Sequence, residues 1–367
     1  MKILIPVLGF GRAGGYRVLS KLADELIKLR HSVKFICPDG SEDPYFPTLA
    51  KILWIDSKGL LSPDKKKSPK KENVFSIQQK LTQALRKIPQ SSYDVIIANH
   101  SLTTLPIRRA GLVHKTLYYV QAYEPEFYDS SGIKNRILAY LSNRSYKMNL
   151  FTVVNGQTYL NYKELKSSRV LYPGIDFDLF YPNAKKLLEE KERPIIIGTI
   201  GRKERNKGTR YIVEAFQKIK KNFPNVELHI AFGEPLEFTD QKDIHCFQPH
   251  GDQALGNFYR SLDYYICAAY VQIGAFHYPV VEAMSCGASV ITTQYYPSNE
   301  ANAWIIKKLQ DADDIVSTFE KAYTSPLLKQ QKLKQSLIDV RQFEWSAVGK
   351  KLNGYIHELV NSSQETI

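Results

Sequence analysis

The residues with the most chemical potential are cations and glycines set in turns. In the run Gly198-Thr199-Ile200-Gly201-Arg202-Lys203-Glu204-Arg205-Asn206-Lys207-Gly208, Arg202 ends an apolar strand and Lys207 stands just before a helix. Two fixed cations at the carboxyl edge of a sheet, where open α/β folds bind ligands, suit a diphosphate. A solvated basic loop is the bland alternative, but a loop has no structural need for cations at that point. Nearer the N-terminus, Gly9-Phe10-Gly11-Arg12-Ala13-Gly14-Gly15 also joins a strand to a helix. Glycines there let backbone approach an anion, and the free N–H groups and dipole of a helix start favour negative charge. The spacing is not GxGxxG followed by an acidic residue about 20 positions on, so nicotinamide binding is not indicated. Sterics alone also place glycine in such turns.

Two further segments follow strands. One is Gly274-Ala275-Phe276-His277-Tyr278-Pro279-Val280-Val281-Glu282-Ala283-Met284, and the other is Tyr118-Tyr119-Val120-Gln121-Ala122-Tyr123-Glu124-Pro125-Glu126-Phe127. His277 either contacts a ligand or packs at a strand-to-helix corner. Glu124, in a polar loop at the carboxyl edge of the sheet, either contacts a ligand or is an ordinary surface carboxylate. His100, after another strand, either faces a cleft or closes its strand. No Asp-x-Asp stands at a strand end, and no His/Cys set has ligand spacing; neither a metal nor another cofactor is expected. Cys37, Cys246, Cys267 and Cys286 lack CxxC spacing and read as free thiols in a reducing compartment.

The elements that must position these residues alternate along the chain. Strand-like Lys2–Leu8 precedes a helix with apolar Val18, Leu19, Leu22, Ala23, Leu26 and Leu29. Strands Ser32–Cys37 and Lys51–Ile55, a helix near Val74–Ile88, and strands Asp94–Ala98 and Thr116–Val120 follow. The polar stretch Asn183–Arg193 reads as a link, and Ile195–Ile200 opens a second series. That series comprises helix Thr209–Lys220, strands Val226–Ala231 and Ile244–Phe247, helix Ala254–Leu262, strand Tyr264–Ala268, helix Val280–Ser285 and strand Ser289–Thr292. Such alternation predicts an α/β class with two doubly wound parallel sheets. A chain of 367 residues, 43% hydrophobic and 24% charged, is long enough and balanced enough for two cores.

Charge is uneven. Residues 1–170 hold 27 Lys and Arg against 13 Asp and Glu, whereas the remainder holds 23 against 24, so the net +13 lies wholly in the first half. An anionic partner for that half, a nucleic acid or an acidic membrane surface, is implied, and the membrane is favoured. Lys65-Lys66-Lys67, Lys70 and Lys71 are read as a solvated loop, and Lys134–Lys147 as a basic amphipathic stretch suited to an inner membrane surface. No apolar run reaches the roughly 20 residues of a spanning helix, and no secretory leader is recognised. The expectation is a cytoplasmic chain, peripheral on the inner face of the membrane.

The run Pro279-x-x-Glu282-Ala283-Met284-x-Cys286-Gly287-x-x-Val290-Ile291 resembles the signature of retaining glycosyltransferases of family 4, which have the GT-B fold. The first glycine-rich loop, Tyr172-Pro173-Gly174-Ile175-Asp176, Arg202…Lys207-Gly208 and Phe343-Glu344-Trp345 extend the likeness, and the run at Tyr118–Phe127 is similar to one in rhamnosyltransferase-like members. The resemblance implies two Rossmann-like domains facing a cleft. The acceptor domain would span 1–172 with a last helix at about 345–367 packing back on it, and the donor domain 173–344. It implies that Arg202 and Lys207 hold the donor diphosphate, and that Glu282 bonds the ribose. Gly14 and Gly15 would close over the donor, with Gly201, Phe276, His277, Val280 and Val281 lining its site. His100, Gln121 and Glu124 would face the acceptor. Gly274 stands where the family's first glutamate would contact the transferred sugar; a variant sugar or a catalytically silent, ligand-binding subunit would explain the loss. The implied reaction moves a sugar from a nucleoside-diphosphate donor to a glycan or lipid-linked hydroxyl, without metal, in cell-surface polysaccharide or lipopolysaccharide synthesis. A nucleic-acid partner is not implied.

Overall fold

The computed structural model describes residues 1–11, 13–70, 72–128, 132–183, 193–232 and 242–364. Arg12, Lys71 and most of the linking stretch 183–193 lie outside the described residues. The chain divides into two compact units, Met1–Gly174 with Trp345–Ile367, and Ile175–Glu344.

In the first unit, β1 (Lys2–Pro6), β2 (Ser32–Pro38), β3 (Lys51–Ile55), β4 (Leu61–Ser62), β5 (Val95–Ala98), β6 (Thr116–Val120), β7 (Phe151–Val154) and β8 (Arg169–Val170) form one sheet. Their order is β4-β3-β2-β1-β5-β6-β7-β8. Only β3 with β4 is antiparallel. Ile3, Leu4 and Ile5 of β1 are all buried, as befits a parallel strand covered on both faces, and this is why the sequence shows a continuous apolar run there. The unit's helices are α1 (Gly14–Lys28), α2 (Val74–Lys87), α3 (Ser101–Arg109) and α4 (Ile133–Tyr146). Strand β5 begins one residue later than the sequence suggests, because the Asp94 carboxylate turns back to accept from Lys2 N at 2.7 Å.

The second unit repeats the scheme. Strands β9 (Ile195–Ile200), β10 (Val226–Ala231), β11 (Ile244–Phe247), β12 (Tyr264–Cys267), β13 (Ser289–Thr292) and β14 (Trp304–Ile305) are parallel in the order β11-β10-β9-β12-β13-β14. Helices α5 (Thr209–Asn222), α6 (Gly251–Ser261), α7 (Tyr278–Ser285), α8 (Ala312–Thr324) and α9 (Pro326–Asp339) belong to it. Ile197, Phe216, Leu228, Ile266, Ile291 and Phe319 are central to its core. In both sheets the chain starts in the middle, builds outward, then returns to build the other way. The reversals fall between β1 and β5 and between β9 and β12, and loops at the carboxyl ends of those strands open the crevices where such folds bind ligands.

Helix α10 (Trp345–Gln364) returns to the first unit. Trp345, Val348, Leu352, Ile356 and Leu359 are buried at helical spacing along one stripe. Gly349 lets α10 approach α1 closely, since a Cβ there would lie 2.5 Å from Glu25 Cβ, whereas Gly354 has nothing within 4 Å. Helix propensity favours alanine at both positions, but crowding opposes it at one. Gly349→Ala should therefore destabilise the first unit by about 1–3 kcal/mol through overpacking, while Gly354→Ala should stabilise it by about 0.5–1 kcal/mol. Urea-unfolding midpoints of the two variants should move in opposite directions.

Candidate functional site

The loop after β9 is shaped by glycine and threonine. Gly201 N donates to Ala231 O at 2.7 Å, and Arg202 N donates to Thr209 Oγ1 at 3.1 Å, which folds the loop back on the first turn of α5. Gly208 caps that helix with φ +75°, and a Cβ on it would lie 2.2 Å from Ala268 O. Only glycine meets both conditions. The loop is thereby pressed against the end of β12, and Tyr270 N donates to Asn206 O at 3.0 Å across the same gap. Sequence reading missed Thr209 and Asn206, although Asn206-Lys207-Gly208-Thr209 carries the polar side chains and glycine of a tight turn into a helix.

Arg202 and Lys207 are exposed, and among the described residues neither side chain has an ion-pair partner. Both act on His277, the residue preceding α7. Burial, then Lys207, then Arg202 push its imidazolium down to about 3, so the ring is neutral near pH 7. Its Nδ1 lies 3.9 Å from Cys267 Sγ, and its ring packs on Tyr295 with centroids 4.5 Å apart. Burial raises the Cys267 thiol to about 11, so the sulfur keeps its proton near pH 7. His277 is thus a neutral ring held next to two cations.

The other residues expected here divide into backbone and interior groups. Gly274 is half-buried with φ +86°. Phe276 pairs its backbone with Tyr296, while its ring packs edge-on against Tyr278 and Phe343, each at 5.1 Å. Val280 and Val281 have fully buried side chains, and their N–H groups donate to His277 O at 3.0 and 3.2 Å. Their side chains belong to the core, so only their backbone at the start of α7 is left to line a ligand site. Glu282 is 2% exposed. Its charge adds to burial in raising the phenols of Tyr259 and Tyr265 well above their usual value.

In the first unit, Gly14 and Gly15 begin α1, whose N-cap Ala13 supplies no side-chain cap and whose first turn holds no acid. Such a helix start favours an anion. A Cβ on Gly15 would lie 3.2 Å from Gln121 Oε1, so the glutamine after β6 lies over that helix start. A cavity of about 440 Å³ beside the loop is lined by Gly9, Gly11, Ser41, Lys70 and Glu72 among others. His100 precedes α3; its Nδ1 accepts from Leu102 N at 3.1 Å and lies 3.2 Å from Glu124 Oε2. Glu124 does not face outward as expected. It is 6% exposed and accepts from Ser101 N at 2.9 Å and from Ser101 Oγ, which commits the carboxylate to the start of α3. The lysine run is likewise less free than a solvated loop. Lys65 reaches Asp43 at 3.1 Å and lies over Trp54, and Lys67 reaches Asp39 at 3.4 Å.

Because the folded pKa of His277 lies below its unfolded value near 6.5, the unfolded chain takes up a proton first as pH falls. The neutral ring therefore costs nothing above about pH 6.5, and stability is lost between there and about pH 3 with a slope of up to about 1.4 kcal/mol per pH unit. His277→Asn should flatten the fall in stability of the second unit across that window, read as urea midpoints at a series of pH values. An unchanged pH profile would show that the imidazole is not held neutral.

Residues 181–337, nearly the whole second unit, match the family of glycosyl transferases group 1. No curated protein matches the sequence. Among solved structures, sucrose-phosphate synthase from Thermosynechococcus elongatus is 17% identical, with 98% of this chain and 99% of that one covered at a TM-score of 0.75. WaaG, a glycosyltransferase involved in lipopolysaccharide biosynthesis, is 14% identical over 96% and 99% at 0.69. The catalytic domain of starch synthase IV from Arabidopsis thaliana, bound to ADP and acarbose, is 14% identical over 98% and 99% at 0.65. With two parallel-sheet α/β units of the kind those structures share, the chain has the GT-B fold, and its second unit carries the match to the glycosyl transferases group 1 family.

Proposed function

We propose that the chain is a glycosyltransferase that moves a sugar from a nucleoside diphosphate to an acceptor hydroxyl with retained anomeric configuration. The observation that carries this is the pair Arg202 and Lys207, exposed, without ion-pair partners among the described residues, and beside a neutral His277 where the strand order reverses. In the reaction the bond from the anomeric carbon to the donor phosphate oxygen breaks, a bond to the acceptor oxygen forms, and the acceptor proton passes to the departing diphosphate. The two cations stabilise charge as it gathers on that diphosphate, which makes them catalytic groups. His277 adds a neutral imidazole, Glu282 is assigned to the ribose, and Gly14 and Gly15 to the sugar-nucleotide donor. Gln121 and His100 are the acceptor-side candidates. No metal is invoked. The family match over 181–337 and the fold support this assignment, and the likeness to WaaG suggests a glycolipid or polysaccharide acceptor at the bacterial cell surface.

A specific observation keeps a second reading in play. Gly274 occupies the place of an expected carboxylate and has φ +86°, so the chain could bind a sugar nucleotide without turning it over. Screening sugar nucleotides by thermal shift separates the cases, because a donor at about 100 times its Kd adds about 2.7 kcal/mol of stability. Donor stabilisation with transfer or slow donor hydrolysis is expected; stabilisation without either identifies a silent subunit. Arg202→Ala and Lys207→Ala should each lower kcat/KM by about 100–1000-fold with little change in the ligand-free Tm. If both variants keep full activity, the diphosphate assignment is wrong.

We also propose that the first unit docks on anionic membrane. By unit, the first has 29 Lys and Arg against 15 Asp and Glu, and the second 21 against 22. On α4 the buried residues are Ser142, Ser145 and Tyr146, while Ile133 (78%) and Tyr140 (59%) are exposed with Ile137. Lys134, Arg136 and Arg144 surround them and are exposed. A helix that buries serines and presents isoleucine, tyrosine and cations to the outside suits an interfacial lipid surface. Among the described residues no helix is long and apolar enough to cross a membrane. The chain should co-sediment with phosphatidylglycerol vesicles at low salt and far less at about 0.5 M, where charges more than roughly 5 Å apart are screened. Ile137→Asp should weaken that binding; equal recovery with neutral and anionic vesicles would argue against it.

A further inference from the structure

Strand β10 carries Glu227 and His229, two residues apart and therefore on one face. Val226, Leu228 and Ile230 turn the other way and are buried. The parallel register sets His245 of β11 beside His229. Glu227 Oε2 lies 3.2 Å from His229 Nε2 and 3.6 Å from His245 Nε2, and one ligand atom from each residue falls within 4.8 Å of the other two. The imidazoles stand nearly perpendicular at 81°, with centroids 5.3 Å apart, so their edges converge without stacking. For metal–ligand bonds of about 2.0–2.1 Å, tetrahedral ligand atoms sit roughly 3.3 Å apart.

We propose that Glu227, His229 and His245 bind one divalent transition-metal ion of the zinc class, with solvent completing its coordination. Two imidazoles and one carboxylate are a borderline donor set that suits Zn²⁺ and its first-row neighbours, not Ca²⁺ or Mg²⁺, which take oxygen ligands. The side chains are 27%, 13% and 48% exposed, which leaves a solvent-facing position. The ion ties β11, a four-residue strand at the edge of the sheet, to β10. Its binding energy is then added to the folded second unit. No metal was expected from the sequence, and the proposed ion is outside that expectation. The three residues have no motif spacing because strand pairing, not proximity in sequence, brings His245 to the other two.

The test uses tag-free, full-length protein stripped with a chelator and titrated near neutral pH with Co²⁺ and then Zn²⁺. The expected result is one equivalent of Co²⁺ with visible d–d absorption, its displacement by Zn²⁺, and a higher Tm in the metal-bound form. His245→Ala changes an exposed side chain and Glu227→Gln keeps its shape, so both should fold. Each should weaken binding by more than about tenfold, since loss of even an outer partner of a ligand costs about that much. Cys246→Ser and His250→Ala serve as controls and should bind as the parent does. Failure of the parent to bind one equivalent, binding that survives in both His245→Ala and Glu227→Gln, or binding lost only with Cys246 or His250, would each overturn the proposal.

Discussion

Two like charges on one short loop repel, and the second unit has to hold Arg202 and Lys207 there against that repulsion. It does so through backbone constraints. The left-handed Gly208 pressed on Ala268 O, the Thr209 hydroxyl holding Arg202 N, and the Tyr270–Asn206 hydrogen bond fix where the chain leaves and re-enters the sheet. None of these groups is charged, so the positions of the cations do not depend on a counterion. The same field reaches His277 and keeps its ring neutral. An imidazolium there would be a third positive charge at one point, and burial together with the two cations prevents it. The result is a pair of exposed cations held by backbone constraints, with a neutral imidazole beside them.

Both units use the reversal of strand order to gather groups from distant parts of the chain, but they fill it differently. In the first, the carboxyl ends of β1, β5 and β6 bring a bare helix start, His100 and Gln121 to one edge. Among the described residues of that unit, α4 exposes Lys134, Arg136 and Arg144, while Lys65 and Lys67 reach Asp43 and Asp39. Net charge and local site charge are therefore separate quantities in this chain. The unit with a near-zero balance holds Arg202 and Lys207, and the strongly basic unit exposes cations along α4.

Strands such as β1 and β6 were legible because parallel strands covered on both faces read as unbroken apolar runs; β3, β9, β10, β11 and β13 also fall where composition places them, although β10 and β11 alternate buried with less buried residues. Helices packed on one side gave the three-and-four spacing of α1 and α5. What was not legible had a physical reason. The two-residue strands β4, β8 and β14 carry too few residues to show a period, and α4, which lies in the stretch read as basic and amphipathic, buries serine and exposes isoleucine, so no inward apolar stripe marks it as a packed helix. Side-chain direction was also hidden. Glu124 sits in a stretch that looks polar, yet it turns inward because the first N–H groups of α3 need an acceptor. The convergence of Glu227, His229 and His245 depends on register, which one strand's sequence does not encode.

Gly274 looks in the sequence like a lost side chain, but its φ of +86° makes it a difference in backbone as well. Gln272, two residues earlier, is also left-handed, and Ala275 N donates back to Gln272 O at 3.0 Å, so the segment is a tight turn. A residue with a Cβ at 274 would work against that turn. A carboxylate cannot simply be restored there without reshaping the chain between β12 and α7. His277, three residues on, is anchored by Cys267 and Tyr295. The left-handed turn at Gly274 and the half-buried, neutral imidazole are thus two parts of one local arrangement between β12 and α7.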